Sequence, residues 1–134
     1  MITKALLLSL LAWIGSHTSY NVAQVDAPRV ELRTNKEIQD IYYGDCKRDT
    51  QSNILAVHSS GVVFFNKGID IKKKNEQALV VHELTHYLQF VHNDQMPKTH
   101  EEREKEAIAV ENLWRKNHGL KEVERLVLKE PECA

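Results

Sequence analysis

The sequence predicts a single α+β domain, a small antiparallel or mixed sheet packed against two long helices. Three observations predict it. The chain has 134 residues, the length of one domain. Two short β-branched and aromatic runs, residues 54–57 and 62–65, flank the turn residues His58-Ser59-Ser60-Gly61, as the arms of a hairpin would. After them, apolar residues recur at helical spacing from about Asn75 to Val91 and again from Thr99 to Asn117.

The elements follow in order. Met1-Ile2-Thr3-Lys4 is a short basic start, and residues 5–15 form an apolar run. That run suits a signal h-region and is shorter than the roughly 20 residues a membrane span needs. Residues 1–23 are therefore expected to be a signal peptide, cut between about residue 15 and residue 27. A retained anchor and a buried core helix are the alternatives. Cleavage would leave no stable membrane span and a secreted or periplasmic domain over residues 26–134. The pair Cys46 and Cys133 agrees with export; a disulfide between them would close a long loop, worth at most about 4–5 kcal/mol.

Within the domain, Val30 and Leu32 alternate with charged residues, as in a short strand. Thr34 and Glu37 form a capping box for a helix with Ile38, Ile41 and Tyr42 on one face, ended by Gly44. After the hairpin, Ile69 and Ile71 could extend the sheet, and Lys72-Lys73-Lys74 reads as a solvated loop. Asn75 is the expected N-cap of the next helix. Residues 93–97 break that helix, and Thr99 and Glu102 form a second capping box. The helix after it carries Ala109, Val110, Leu113 and Trp114 as its apolar positions and has Gly119 at its C′ position. A short helix is expected over residues 121–129, with Val123, Leu126 and Val127 inward and Pro131 as its stop. The near balance of 18 basic against 19 acidic residues leaves no footprint for nucleic acid.

The first long helix carries His82-Glu83-Leu84-Thr85-His86, an H-E-x-x-H motif. Positions i and i+4 lie on one helix face, so both imidazoles can reach one metal ion. Glu83 lies about 100° round from His82, able to touch a metal-bound water without being a ligand. Val80, Val81, Leu84 and Leu88 form an apolar stripe beside the histidines. The pattern points to Zn²⁺ and hydrolysis, with Glu83 as general base.

A hydrolytic zinc site usually has three protein ligands. Glu106 is the expected third, because it shares a face with Ala109, Val110 and Leu113. His92 is the second candidate, at the spacing of H-E-x-x-H-x-x-G-x-x-H. Gln89 stands at that pattern's glycine; if the helix runs on through it, His92 is rotated about 240° from His86. Glu102 is assigned to the helix cap, Glu101 and Glu104 to solvent, and Glu111 is a back-up that could instead support a ligand histidine. Tyr42, Tyr43, Tyr87, His100 and His118 are all conceivable oxyanion donors.

These residues resemble the zincin metallopeptidases, and within them the gluzincin type. Residues 81–89, with Glu104-Lys105-Glu106-Ala107 downstream, are similar to small exported metallopeptidases of minimal size, and the match spans residues 80–111. The resemblance implies a minimal zincin-like domain, its sheet packed on an active-site helix and a following ligand-bearing helix. It implies zinc held by His82, His86 and Glu106, and a peptide or protein substrate added as a strand to a sheet edge, here Val62 to Phe65. Where the thermolysin-like branch has an Asp four residues after the third ligand, this chain has Val110, so Glu111 or Glu102 must substitute. A non-catalytic zinc-holding interaction module is the alternative function.

Overall fold

The computed structural model describes residues 2–44 and 53–124. It is a mixed α+β fold of four helices and a three-stranded sheet among the described residues: α1 (Lys4–His17), β1 (Arg29–Arg33), α2 (Asn35–Tyr43), β2 (Ala56–Ser59), β3 (Val62–Asn66), α3 (Lys74–Val91) and α4 (His100–Asn117). Cys46 and Cys133, and most of the short helix expected at the C-terminus, lie outside the described residues.

The hairpin forms as its composition suggests, with a shorter turn. β2 continues through His58 and Ser59, and only Ser60 and Gly61 turn, both with positive φ (50° and 86°). Left-handed conformation at both central residues matches the twist of the flanking strands, and Gly61 takes it without a Cβ penalty. β2 pairs antiparallel with β3, from Ala56 opposite Phe65 to Ser59 opposite Val62. β1 pairs with β3 in parallel, from Arg29 opposite Val62 to Arg33 opposite Asn66. The order β1-β3-β2 places Val62 to Phe65 in the centre of the sheet, so the strand expected as the open edge is instead covered on both sides. β2 is the edge strand beside α3, its His58 N–H bonded to Glu83.

Three local expectations are corrected. Ile69 and Ile71 extend no strand; they pack as partly buried side chains against the core. The α3 N-cap is Lys73, without a side-chain bond, and Asn75 lies inside the helix, its Oδ1 accepting from Arg115 Nη1 at 2.5 Å. Lys121 to Glu124 are not helical; the Asn112 amide bonds both the N–H and the C=O of Val123, each at 2.9 Å, and ties this segment to α4. Of the two expected capping boxes the first is complete and the second shows its Thr99 half. Thr34 and Glu37 complete a capping box, and Thr99 accepts from the Glu102 N–H.

α3 is the central helix. Ala78, Val80, Val81, Leu84 and Leu88 are fully buried, contacted by α4 on one side and by α1 and the sheet on others. On α4 the inward stripe is Ala107, Val110, Glu111, Trp114 and Arg115, whereas Ala109 and Leu113 face solvent. The N-terminal run is helical as α1, capped by Thr3, and buries Leu7, Leu10, Leu11 and Ile14 at i, i+3, i+4 and i+7 in the same core. Among the described residues no helix is long and apolar enough to cross a membrane.

The packing of α1 is directly measurable. In the full chain, Leu11→Ala should lower the unfolding free energy by about 2–5 kcal/mol in urea denaturation. An unchanged midpoint would place α1 outside the cooperative core.

Candidate metal centre

α3 and α4 pack side by side, and the site lies in their interface. The i, i+4 spacing brings the rings of His82 and His86 to 5.0 Å between centroids, both facing α4. Opposite them is Glu104. Its Oε1 lies 2.5 Å from His86 Nε2, and its Oε2 lies 3.6 Å from His82 Nε2. His82, His86 and Glu104 each offer a ligand atom, all within 4.8 Å of one another, and this group can hold a metal ion.

Glu106, the expected third ligand, is not in the group. Two residues along a helix is a rotation of about 200°, so Glu104 and Glu106 face nearly opposite ways. Glu104 extends the inward stripe, one turn before Ala107 and two turns before Glu111. Glu106 instead accepts hydrogen bonds from the Tyr20 hydroxyl (2.5 Å) and from Gln89 Nε2 (3.0 Å). The buried stripe differs from the expected one because Ala109 and Leu113 face solvent, which moves Glu106 off the inward face. A usable signal was present: Glu111, named as a supporter of a ligand histidine, is seven residues from Glu104 and shares its face. His92 is also elsewhere. It caps the C-terminus of α3, stacks on Tyr20, and its Nε2 bonds the Asn21 carbonyl at 2.8 Å.

The far nitrogen of each imidazole is engaged. His82 Nδ1–H donates to Glu111 Oε1 at 3.1 Å, and Glu111 Oε2 accepts from Arg115 Nε at 2.9 Å. Glu111 is fully buried and Arg115 nearly so, and Arg115 is in turn bonded to Asn75. Glu111, expected as a possible supporter of a ligand histidine, is thus bonded to His82, with Arg115 as its counter-charge. His86 Nδ1–H donates to Gln89 Oε1 at 2.8 Å. The Gln89 amide is oriented by its own donors, since Nε2 faces two acceptors, Glu106 Oε1 and the Arg103 carbonyl. With both Nδ1–H groups committed, each Nε2 faces Glu104, sharing a proton with the carboxylate when no metal is bound and offering its lone pair where a metal replaces that proton.

Glu83 stands beside the group. Its Oε1 accepts from the His58 N–H of β2 at 3.0 Å, and its Oε2 lies 4.0 Å from His82 Nε2. Burial pushes the Glu83 carboxyl up, more than the nearby histidines pull it down. Burial alone would lower His82, but hydrogen bonds to Glu104 and Glu111 and the charge of Glu83 lift it to about 10. For Glu104, burial opposes ionisation, yet its bonds to His82 and His86 outweigh this and hold it well below the usual carboxylate range. With three carboxylates around two imidazoles, the site favours a bound cation, whether protons or a metal.

An open cleft of about 930 Å³ faces the group, walled by α2, β2, α3 and α4. Tyr42, Tyr43 and His100, three of the five conceivable oxyanion donors, line it. Tyr87 and His118 do not. The Tyr87 hydroxyl donates to the Asp26 carbonyl, and His118 stacks on Trp114. Burial, then the charges of Glu104, Tyr43 and Glu83, raise the Tyr42 hydroxyl, so it stays a donor at neutral pH. No family model, curated protein or solved structure matches the chain.

Two measurements follow from this geometry. Glu104→Ala should abolish tight metal binding and cost far more affinity than Glu106→Ala; the reverse order would return the third ligand to Glu106. The second concerns protons. The His82 pKa is raised on folding, so its proton stabilises the metal-free fold fully below about pH 6.5, a contribution lost as pH rises through about 10. A metal takes the place of that proton. Its uptake at neutral pH should release about one proton or more, read with a pH indicator in weak buffer, and affinity should rise with pH. Uptake without proton release would contradict the arrangement.

Proposed function

We propose that this chain is a zinc-dependent hydrolase, most specifically a metallopeptidase of the H-E-x-x-H type acting on a peptide or protein substrate. One observation carries the reading: His82, His86 and Glu104 converge, with Glu83 held beside them at the wall of an open cleft. A purely structural metal site has no use for that extra carboxylate. Two imidazole nitrogens and one carboxylate oxygen form the three-ligand set of catalytic zinc, and Zn²⁺ suits imidazole and carboxylate donors of this kind.

When bound, zinc supplies Lewis acidity and lowers the pKa of water. The chain's own residues supply the rest. Glu83 takes the proton of the attacking water and delivers it to the leaving amine. Its carboxyl is raised by burial, oriented by the His58 N–H and lines the cleft. Tyr42, across the cleft, donates to the developing oxyanion. The edge strand β2 borders the same cleft, and its backbone groups other than the His58 N–H are where an extended peptide would pair. Export belongs to the same proposal, with cleavage before Tyr20, and rests on the basic start and the apolar run of residues 5–15.

The decisive comparison is wild type against Glu83→Gln, by zinc content and by cleavage of an unfolded generic protein. Glu83→Gln should retain zinc and lose hydrolysis by a factor of about 10² or more. Full activity in that variant would remove Glu83 as the base. Zinc uptake with no hydrolysis even in wild type would reduce the chain to a metal-holding module.

A further inference from the structure

We infer that Tyr20, on the segment following α1, is a positioning residue for His86, acting through Glu106 and Gln89; this rests on the metal-centre reading above. The path is continuous. The Tyr20 hydroxyl donates to Glu106 Oε1 at 2.5 Å. The same oxygen accepts from Gln89 Nε2 at 3.0 Å, and Gln89 Oε1 accepts from His86 Nδ1–H at 2.8 Å. Tyr20 is 4% exposed and Gln89 is 1% exposed, so water does not substitute readily at either end.

Each member constrains the next. The Gln89 side chain can present its oxygen to His86 only while its NH₂ group has acceptors behind it. Glu106 is one of the two, and it lies on the half-exposed side of α4, where a carboxylate can turn out to solvent. The Tyr20 hydroxyl holds it inward. Glu106 thus has a defined place near the centre without being a ligand.

The segment carrying Tyr20 is itself tied to the C-terminal half of α3, the half that bears His86. The Tyr20 ring stacks on His92 with centroids 5.9 Å apart, and His92 Nε2 bonds the Asn21 carbonyl at 2.8 Å. The Tyr87 hydroxyl donates to the Asp26 carbonyl at 2.8 Å. Burial, reinforced by Glu106, raises the Tyr20 hydroxyl far above neutrality, so the donor persists across the whole working pH range. The N-terminal segment therefore contributes to the metal centre as well as to the core. A cut before Tyr20 would retain this path, and a cut after it would remove the path, so the position of processing would set how well His86 is held.

The test uses the full chain as wild type, Tyr20→Phe, Gln89→Leu and the double variant. Zinc affinity is measured by competition with a chromophoric chelator, and the unfolding midpoint is measured without metal. Each single variant should weaken zinc binding about 10-fold or more. The double variant should be little weaker than the worse single, because both act on one path. Affinity of Tyr20→Phe within about twofold of wild type, or losses that multiply in the double variant, would overturn the inference. A lowered midpoint with unchanged affinity would do the same, since it marks packing alone. A wild type that takes up no zinc overturns the metal-centre reading and this one together, whereas zinc uptake insensitive to Tyr20 overturns this one only.

Discussion

Ionised groups buried between two helices are unfavourable unless each finds a partner, and the α3–α4 interface is built under that constraint. His82, His86, Glu83, Glu104, Glu111 and Arg115 all sit there, most of them shielded from water. Each carboxylate faces an imidazole, a guanidinium or a backbone N–H, and no buried polar side-chain atom among the described residues lacks a partner. The apolar packing around α3 serves this arrangement. Val80, Val81, Leu84 and Leu88 have no exposed surface, so the helix cannot rotate to carry its histidines out of register with Glu104.

What was legible in the sequence follows the range of the interactions. The H-E-x-x-H pair, the Thr34 and Thr99 caps and the hairpin depend on residues a few positions apart, and each forms. The parallel pairing of β1 with β3 joins segments about thirty residues apart, and no local signal announces it. Its consequence was a misplaced edge, because Val62 to Phe65 became the middle strand. Glu104 rather than Glu106 joins the two histidines for a subtler reason. α4 carries apolar residues on two faces, and alanine at positions 107 and 109 does not discriminate between them. Trp114 and Val110 settle the face in the fold, and with it the choice of Glu104. Asn75 has good cap chemistry, but Arg115 recruits it from across the interface, a contact forty residues away that propensity does not contain.

The N-terminal run shows how one composition supports two readings. An h-region requires apolar residues without regard to face. In α1 they fall into a stripe, with Leu7, Leu10, Leu11 and Ile14 buried and Leu8 41% exposed. Each such side chain gains about 1.5–3 kcal/mol on full burial, so this helix adds substantially to a small core. Export and retention thus place opposite demands on the same leucines, and the hydrogen bonds of Tyr20, Asn21 and Asp26 extend that competition to the segment between α1 and the sheet.

Apart from Tyr20, the three residues that could hold a metal and the groups bonded to them come from a single helical hairpin. α3 brings His82, His86, Gln89 and Asn75; α4 brings Glu104, Glu106, Glu111 and Arg115. The sheet adds one group to the centre, the His58 N–H that holds Glu83 Oε1. That division separates two tasks. In the proposed function, metal holding would depend on the fit of α4 against α3, and the aim of Glu83 as base on how β2 sits against α3. The Ser60–Gly61 turn connects the two, because Gly61 N–H donates to His58 Nε2 at 3.1 Å and the glycine packs against the Phe90 ring of α3. A side chain at position 61 would meet that ring at 3.0 Å and would also have to adopt a φ of 86°. Disturbance there would shift His58, and through it Glu83, while leaving the interface that positions His82, His86 and Glu104 in place.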